Sequence, residues 1–300
     1  MSKNSIQPNR GKNLPLVVIV GPTASGKSAT AMEIAERWGG EIICADSRTV
    51  YKGMDIGTAK PTAEDQQRVP HWGLDLAEPG DTFTAADFKK YALQKIDEIR
   101  QRGHIPLLVG GTGLYIDGII FDYQFGAQAP ELRKKLEKMS NEALKEYCMN
   151  NNVTLPENHQ NRRYVIRAIE RKNDTSERLM EPLHNTIIVG IATNRDVLRQ
   201  RIADRAEQLF ENGMVDEAKM LGKKYGWDSE AMTANIYRLV HGFLQGTYTE
   251  TELKEKFVIA DWQLAKRQLT WLKRNPHIVW KSLDEAATYI NNELTHRQKN

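Results

Sequence analysis

Apolar residues fall along this chain in a few short runs separated by longer stretches at helical spacing. Leu14 to Val20 is almost wholly apolar; a glycine-bearing loop and an amphipathic stretch, Ala29 to Trp38, follow it. Glu41 to Cys44, Ile105 to Val109 and Thr186 to Ile191 read as further short strands, and His277 to Trp280 as a last one before a terminal helix. Between them, Phe88, Leu93, Ile96 and Ile99 predict a helix over 87–102 that Gly103 closes. Helical spacing recurs over 131–151, 161–172, 195–212, 214–225, 229–245 and 251–274, whereas 55–82, rich in Gly, Pro and Asp, reads as loop. Such alternation predicts an α/β fold, a parallel sheet flanked by helices. The strandless stretch 123–185 reads as a helical insertion, leaving 14–122 and 186–300 as the core. In sheets of this kind ligands sit beyond the carboxyl ends of the strands. Three of the runs end at chemically useful residues: the loop after Val20, Asp46-Ser47, and Gly110-Gly111-Thr112-Gly113.

Composition narrows the class without naming a function. Three hundred residues, 40% hydrophobic and 27% charged, are ordinary for a soluble globular protein, and no apolar run reaches a membrane span. The first 13 residues are polar, lack a signal-peptide core and read as a frayed tail. Cys44 and Cys148 are too few for a disulfide framework or a cysteine metal site, so a cytoplasmic location is expected. A net charge of +3 is too small to require a nucleic-acid partner. The basic residues do cluster: Arg162, Arg163, Arg167, Arg171 and Lys172; Arg195, Arg199, Arg201 and Arg205; Lys266, Arg267, Lys273 and Arg274. From charge alone these are the solvated faces of charged helices.

The sharpest chemical signal is Gly21-Pro22-Thr23-Ala24-Ser25-Gly26-Lys27-Ser28. In a strand–loop–helix context, G-x-x-x-x-G-K-[ST] cradles phosphates with its backbone N–H groups and the positive end of the following helix. Lys27 reaches the outer phosphate and the Ser28 hydroxyl is placed for Mg²⁺. Asp46, at the mouth of the expected crevice, could order Mg²⁺, act as a general base or cap a turn. The glycines of Gly110 to Gly113 allow close backbone approach, and Thr112 adds a hydroxyl. A second apolar strand ending in a Mg²⁺-ordering Asp, usual in NTPases of this type, is missing: Leu107 to Val109 runs into glycine and Ile187 to Ile191 into Ala-Thr-Asn. That favours a diphosphate held as a leaving group over a γ-phosphate to be transferred.

Several motifs in order resemble one family, the tRNA dimethylallyltransferases (tRNA isopentenyltransferases). They are Gly21 to Ser28, Ala45-Asp46-Ser47-x-x-Val50-Tyr51, Met54 to Pro61 and Gly110 to Tyr115. Arg162 to Glu170, Leu198-x-x-Arg201-Ile202-x-x-Arg205, Gly213 to Glu217 and Ala265 to Trp271 continue the match to about residue 280. The resemblance implies a P-loop NTPase-like sheet with a helical insertion, and transfer of a dimethylallyl group from dimethylallyl diphosphate to N6 of the adenine at position 37 beside a tRNA anticodon. It implies Asp46 as the base and Arg205 with the loop, Thr23 included, as the diphosphate site. It places tRNA contacts at Asp46, Ser47, Arg48, Thr49, Thr112, Arg162, Arg163, Arg167, Lys266 and Arg267, with Mg²⁺ as cofactor, the tRNA anticodon arm as partner, no membrane and a monomer. Trp271 at helical spacing reads as core. The chain departs from the family pattern at Thr49 (usually Gln), Asp261-Trp262 (usually Thr-Arg), Ile236 (usually Gly) and Trp72 (usually His). A free adenine nucleotide as acceptor, a small-molecule kinase and an RNA-binding protein without transfer are the competing readings.

Overall fold

The computed structural model describes residues 14–126, 130–172 and 178–299, so the polar tail lies outside the described residues. The described residues of Met1–Ile120 and Glu181–Asn300 form one compact unit, and those of Phe121–Met180 form a second.

The first unit is built on a six-stranded sheet. Its strands are β1 (Leu16–Val20), β2 (Gly40–Ala45), β3 (His71–Trp72), β4 (Ile105–Gly110), β5 (Thr186–Ala192) and β6 (Val279–Ser282). They lie in the order β3-β2-β4-β1-β5-β6 and every pairing is parallel. Strands β1, β2 and β4 are buried along their whole length, which is why β1 and β4 read as unbroken apolar runs rather than alternating ones, while β2 carries one charge, Glu41. Val17, Ile19, Ile42, Cys44, Leu107 and Val109 pack on Ile34 and Ala35 of α1 (Lys27–Trp38) and Ile290 and Leu294 of α12 (Leu283–Lys299). Side chains alternate along a strand, so Val18, Ile43 and Leu108 point to the opposite face. Helices α3 (Ala85–Gln101) and α4 (Gly113–Ile120) pack on β2 and β4 there, with Phe88 and Tyr115 stacked at 4.3 Å. Helices α8 (Arg195–Glu211), α9 (Met214–Tyr225), α10 (Asn235–Leu244) and α11 (Glu250–Leu272) pack against one another. No helix among the described residues is long and apolar enough to cross a membrane.

The second unit carries α5 (Pro130–Glu137), α6 (Asn141–Asn150) and α7 (Arg162–Arg171), closed around Leu136, Leu144, Cys148, Val165, Ile166 and Ile169.

Four expectations need correction. The stretch 55–82 is not all loop: a Thr62 capping box starts α2 (Ala63–Arg68), and β3 adds two residues to the sheet edge. The pattern over 131–151 is two helices, because Ser140 caps the start of α6. The pattern over 229–245 is a 3-10 turn, Ala231–Thr233, followed by α10. The last strand runs two residues later than the apolar run implied, Val279–Ser282.

Candidate functional site

Because β2, β4 and β1 are neighbours, the three strand ends converge and their loops line one cavity of about 470 Å³, all within the first unit. One wall is the loop between β1 and α1. Ala24 and Gly26 take left-handed backbone angles (φ 61° and 95°), which curl the chain back on itself. Thr23, Ala24, Gly26, Lys27 and Ser28 face the cavity, and Gly21, Pro22 and Ser25 are buried behind them.

Cations gather on this wall. Lys27 Nζ donates to Pro22 O (3.1 Å), Arg201 donates to Ser25 O (3.2 Å), and Arg205 Nη1 donates to Thr23 Oγ1. Burial pulls the Lys27 amine down to about 8; Asp46 opposes that pull and Arg205 adds to it. Among the described residues, Ser25 Oγ and Arg205 Nε are buried without a hydrogen-bond partner. Buried polar atoms normally find partners, and here two donors remain beside a loop whose backbone suits an anion.

Opposite stands Asp46, one residue past β2. Its Oδ1 accepts the Arg48 N–H (2.8 Å), an Asx turn that holds one carboxylate oxygen in place. Thr112 Oγ1 accepts the Ser47 N–H (3.1 Å), tying the end of β2 to the end of β4. A β-carbon on Gly110 would run into the Ala45 carbonyl, so glycine is required for that approach. Thr49 is buried and bonds back to Asp46 O (3.4 Å). The Arg48 guanidinium donates to Glu230 O (2.8 Å) and Ala231 O (3.3 Å), so it braces the turn before α10 while lining the cavity.

Helix α11 supplies a third wall through Phe257, Asp261, Leu264 and Gln268, one helical face. Gln268 Oε1 accepts the Thr23 N–H (2.8 Å). Asp261 Oδ2 lies 3.9 Å from Arg205 Nη1. Burial pushes the Asp261 carboxyl up; Arg205 opposes this and Asp46 adds to it. Neither residue is identified as a site residue in the sequence. The signal available was their i, i+4, i+7, i+11 spacing with Phe257, yet only packing tells which face of a 23-residue helix meets a cavity.

The fourth wall, Gly57 to Ala59, is fixed from behind. Glu217 accepts the N–H groups of Asp55 (2.9 Å), Ile56 (2.6 Å) and Gly57 (2.9 Å), and the Tyr237 hydroxyl (2.8 Å). Lys60 is buried between Asp55, Asp75 and Tyr51 O.

The remaining sequence-derived residues divide. Arg267 lines the cavity, while Lys266 is exposed on α11 and does not. Arg162, Arg163 and Arg167 lie in the second unit: Arg162 donates to Met139 O (2.5 Å) and Glu137 O (3.1 Å), and Arg167 pairs with buried Glu170 (3.2 Å). Trp271 packs on Gly113 and donates to Asp117 (2.6 Å), a role in packing. At the departures, Ile236 is buried against the cavity and Trp262 lies under Arg195 and Arg199 (5.5 and 4.8 Å).

Comparison with known proteins identifies the family. The IPP transferase family model matches residues 49–275. The tRNA dimethylallyltransferase of Staphylococcus carnosus is 37% identical over 306 residues, 95% of this chain and 96% of that one. That of Acetivibrio thermocellus is 38% identical over 288 residues, 90% and 92% of the two chains. The crystal structure of the full-length tRNA isopentenylpyrophosphate transferase of Bacillus halodurans superposes with a TM-score of 0.73 at 35% identity, covering 95% of this chain and 98% of that one. With a family model over most of its length and relatives matched nearly end to end, the chain belongs to the IPP transferase family.

Proposed function

We propose that this cavity transfers a dimethylallyl group from dimethylallyl diphosphate to N6 of the adenine at position 37 beside a tRNA anticodon, releasing diphosphate. The observation that carries the reading is that Lys27, Arg205 and Asp46 meet in one cavity at the phosphate loop. In the reaction N6 attacks the allylic C1, an N–C bond forms, and the C–O bond to diphosphate breaks with its electron pair leaving on oxygen. The N6 proton goes to Asp46, whose Oδ1 is held by the Arg48 N–H so that the other oxygen can serve the amine. Charge that grows on the departing diphosphate meets Lys27, Thr23 and Arg205, whose Nε has no partner among the described residues. That unpartnered donor also argues that an anion fits here.

Mg²⁺ fits as well: the Ser28 hydroxyl faces the cavity, and this ion commonly takes few protein ligands and completes its shell with phosphate oxygens and water. When bound, it would neutralise charge on the diphosphate. The adenine must leave the anticodon stack to reach Asp46, as base-modifying enzymes require. Ser47, Arg48, Thr49 and Thr112 surround Asp46 and would receive the base, with Arg162, Arg163, Arg167, Lys266 and Arg267 left to hold the RNA backbone. The same proposal has the protein act in the cytoplasm, where tRNA is the acceptor, and as a monomer.

The test is transfer of label from dimethylallyl diphosphate, with Mg²⁺, to unmodified bulk tRNA, AMP or ATP. Label in tRNA at an adenine beside the anticodon is the expected result. Label confined to a free nucleotide would move the acceptor to the nucleotide class, and transfer to none of them would overturn the reading.

A further inference from the structure

Asp261 has no place in that account, yet its position calls for one. It is 6% exposed, and among the described residues no hydrogen bond holds its carboxylate. Its carboxylate opens on the cavity instead of bonding to a neighbour, so packing does not explain it. Its nearest cation is Arg205 at 3.9 Å, too far for a hydrogen bond and close enough for a strong charge interaction. The other charges that bear on it are Asp46 past the end of β2 and Arg267 on its own helix. Arg205 is also the cation that reaches into the phosphate loop at Thr23. Any anion that takes Arg205 therefore competes with Asp261 for the guanidinium and feels the Asp261 charge across the same cavity.

We propose that Asp261 is an exchangeable counter-ion for Arg205 that weakens the hold of the cavity on diphosphate and so promotes release of that product. The inference rests on the reading of this cavity as a diphosphate site. Direction follows from geometry: a hydrogen-bonded carboxylate would aim the guanidinium at the ligand, whereas an unbonded one contributes charge alone, and that charge repels diphosphate. Lys27 and Arg205 make the cavity strongly attractive to polyanions, and a product held as firmly as the transition state would limit turnover.

Binding of inorganic diphosphate, measured by calorimetry in magnesium-containing buffer, tests this. Asp261→Asn should tighten binding about tenfold, the size of one neighbouring charge, and lower the KM for dimethylallyl diphosphate in parallel while kcat does not rise. Asp261→Glu, which keeps the charge, should bind diphosphate within about threefold of the parent protein. If Asp261→Asn fails to fold, Asp261→Ser is read in its place. Unchanged or weaker diphosphate binding in a neutral variant with parental Tm overturns the proposal. Arg205→Ala separates the two levels. If it leaves diphosphate binding unaltered, the diphosphate reading itself is wrong. If it weakens binding while the neutral Asp261 variants gain nothing, only the counter-ion role is lost. In the double variant the gain from Asp261→Asn should shrink, the signature of coupling through the guanidinium.

Discussion

The two ends of β2 hold the most telling contrast in this molecule. At its start, Glu41 is buried and fully engaged: Trp72 Nε1 donates at 2.6 Å, Arg102 at 2.9 and 2.7 Å, and the His104 ring lies at 2.7 Å. Burial alone would push the Glu41 carboxyl up, but the bonds from Arg102, His104 and Trp72 overcome it and hold the group at about 2. Just past its other end, Asp46 faces Lys27, Arg205 and Asp261 across a cavity where Arg205 Nε has no partner among the described residues. One cluster is closed and ties the edge strand β3 to the sheet. The other is incomplete and opens on the cavity to which we assign the chemistry.

Substitutions at the two ends should therefore fail in different ways. The largest effect is expected from Asp46→Ala: loss of the base should lower kcat for prenyl transfer by about 10²–10⁴, with tRNA still bound in a gel-shift assay; near-parental kcat would remove the role. Arg205→Ala comes next, lowering kcat/KM for dimethylallyl diphosphate by about 10²; a change confined to tRNA affinity would contradict the assignment.

At the other end, Glu41→Gln should leave both kinetic constants alone and reduce unfolding free energy by about 2 kcal/mol, seen as a fall in Tm. The loss stays moderate because Arg102 and His104 are 40% and 46% exposed and can return to water. The sign of the pH effect follows from the lowered carboxyl: the stability Glu41 contributes is full above about pH 4.5 and is lost as pH falls toward 2. Acid titrations of Tm should show that slope in the parent protein and a shallower one in Glu41→Gln. Smallest of all, Trp72→Phe removes one donor to Glu41 and should cost about 1 kcal/mol with prenyl transfer intact. Should either Glu41→Gln or Trp72→Phe impair transfer as much as stability, the contrast between the two ends would collapse.

The departures from the family pattern take on meaning in this light. Trp72 serves the closed cluster by donating to Glu41. Thr49, Ile236 and Asp261 line the open one. Trp262 lies under Arg195 and Arg199 on α8, outside the cavity lining.

What the sequence determined by itself is whatever local pattern can carry. The buried strands β1 and β4 were legible because strands covered on both faces are continuously apolar, β2 by its shorter run Ile42 to Ala45, and the phosphate loop because its glycines and Lys27 fall within eight residues. Asp46 and Thr112 were legible because each follows such a strand. The packed structure decided the rest. Helix α4 escaped notice because it is apolar nearly all round and shows no amphipathic face. Strand β3 is two residues long and is held by Trp72 reaching Glu41 across 31 positions, a contact no window along the chain contains. The arginines of α7 were visible as a cluster, but Arg162 bonding to Met139 O and Arg167 pairing with Glu170 were not. Asp261 and Gln268 meet Arg205 and Thr23 from a helix far along the chain, and only the packing of α11 against α8 selects the face that reaches the cavity. Local sequence fixes which groups can do chemistry because propensity and motif act over a few residues; which groups share a cavity depends on contacts between distant segments, and these exist only once the helices have packed on the sheet.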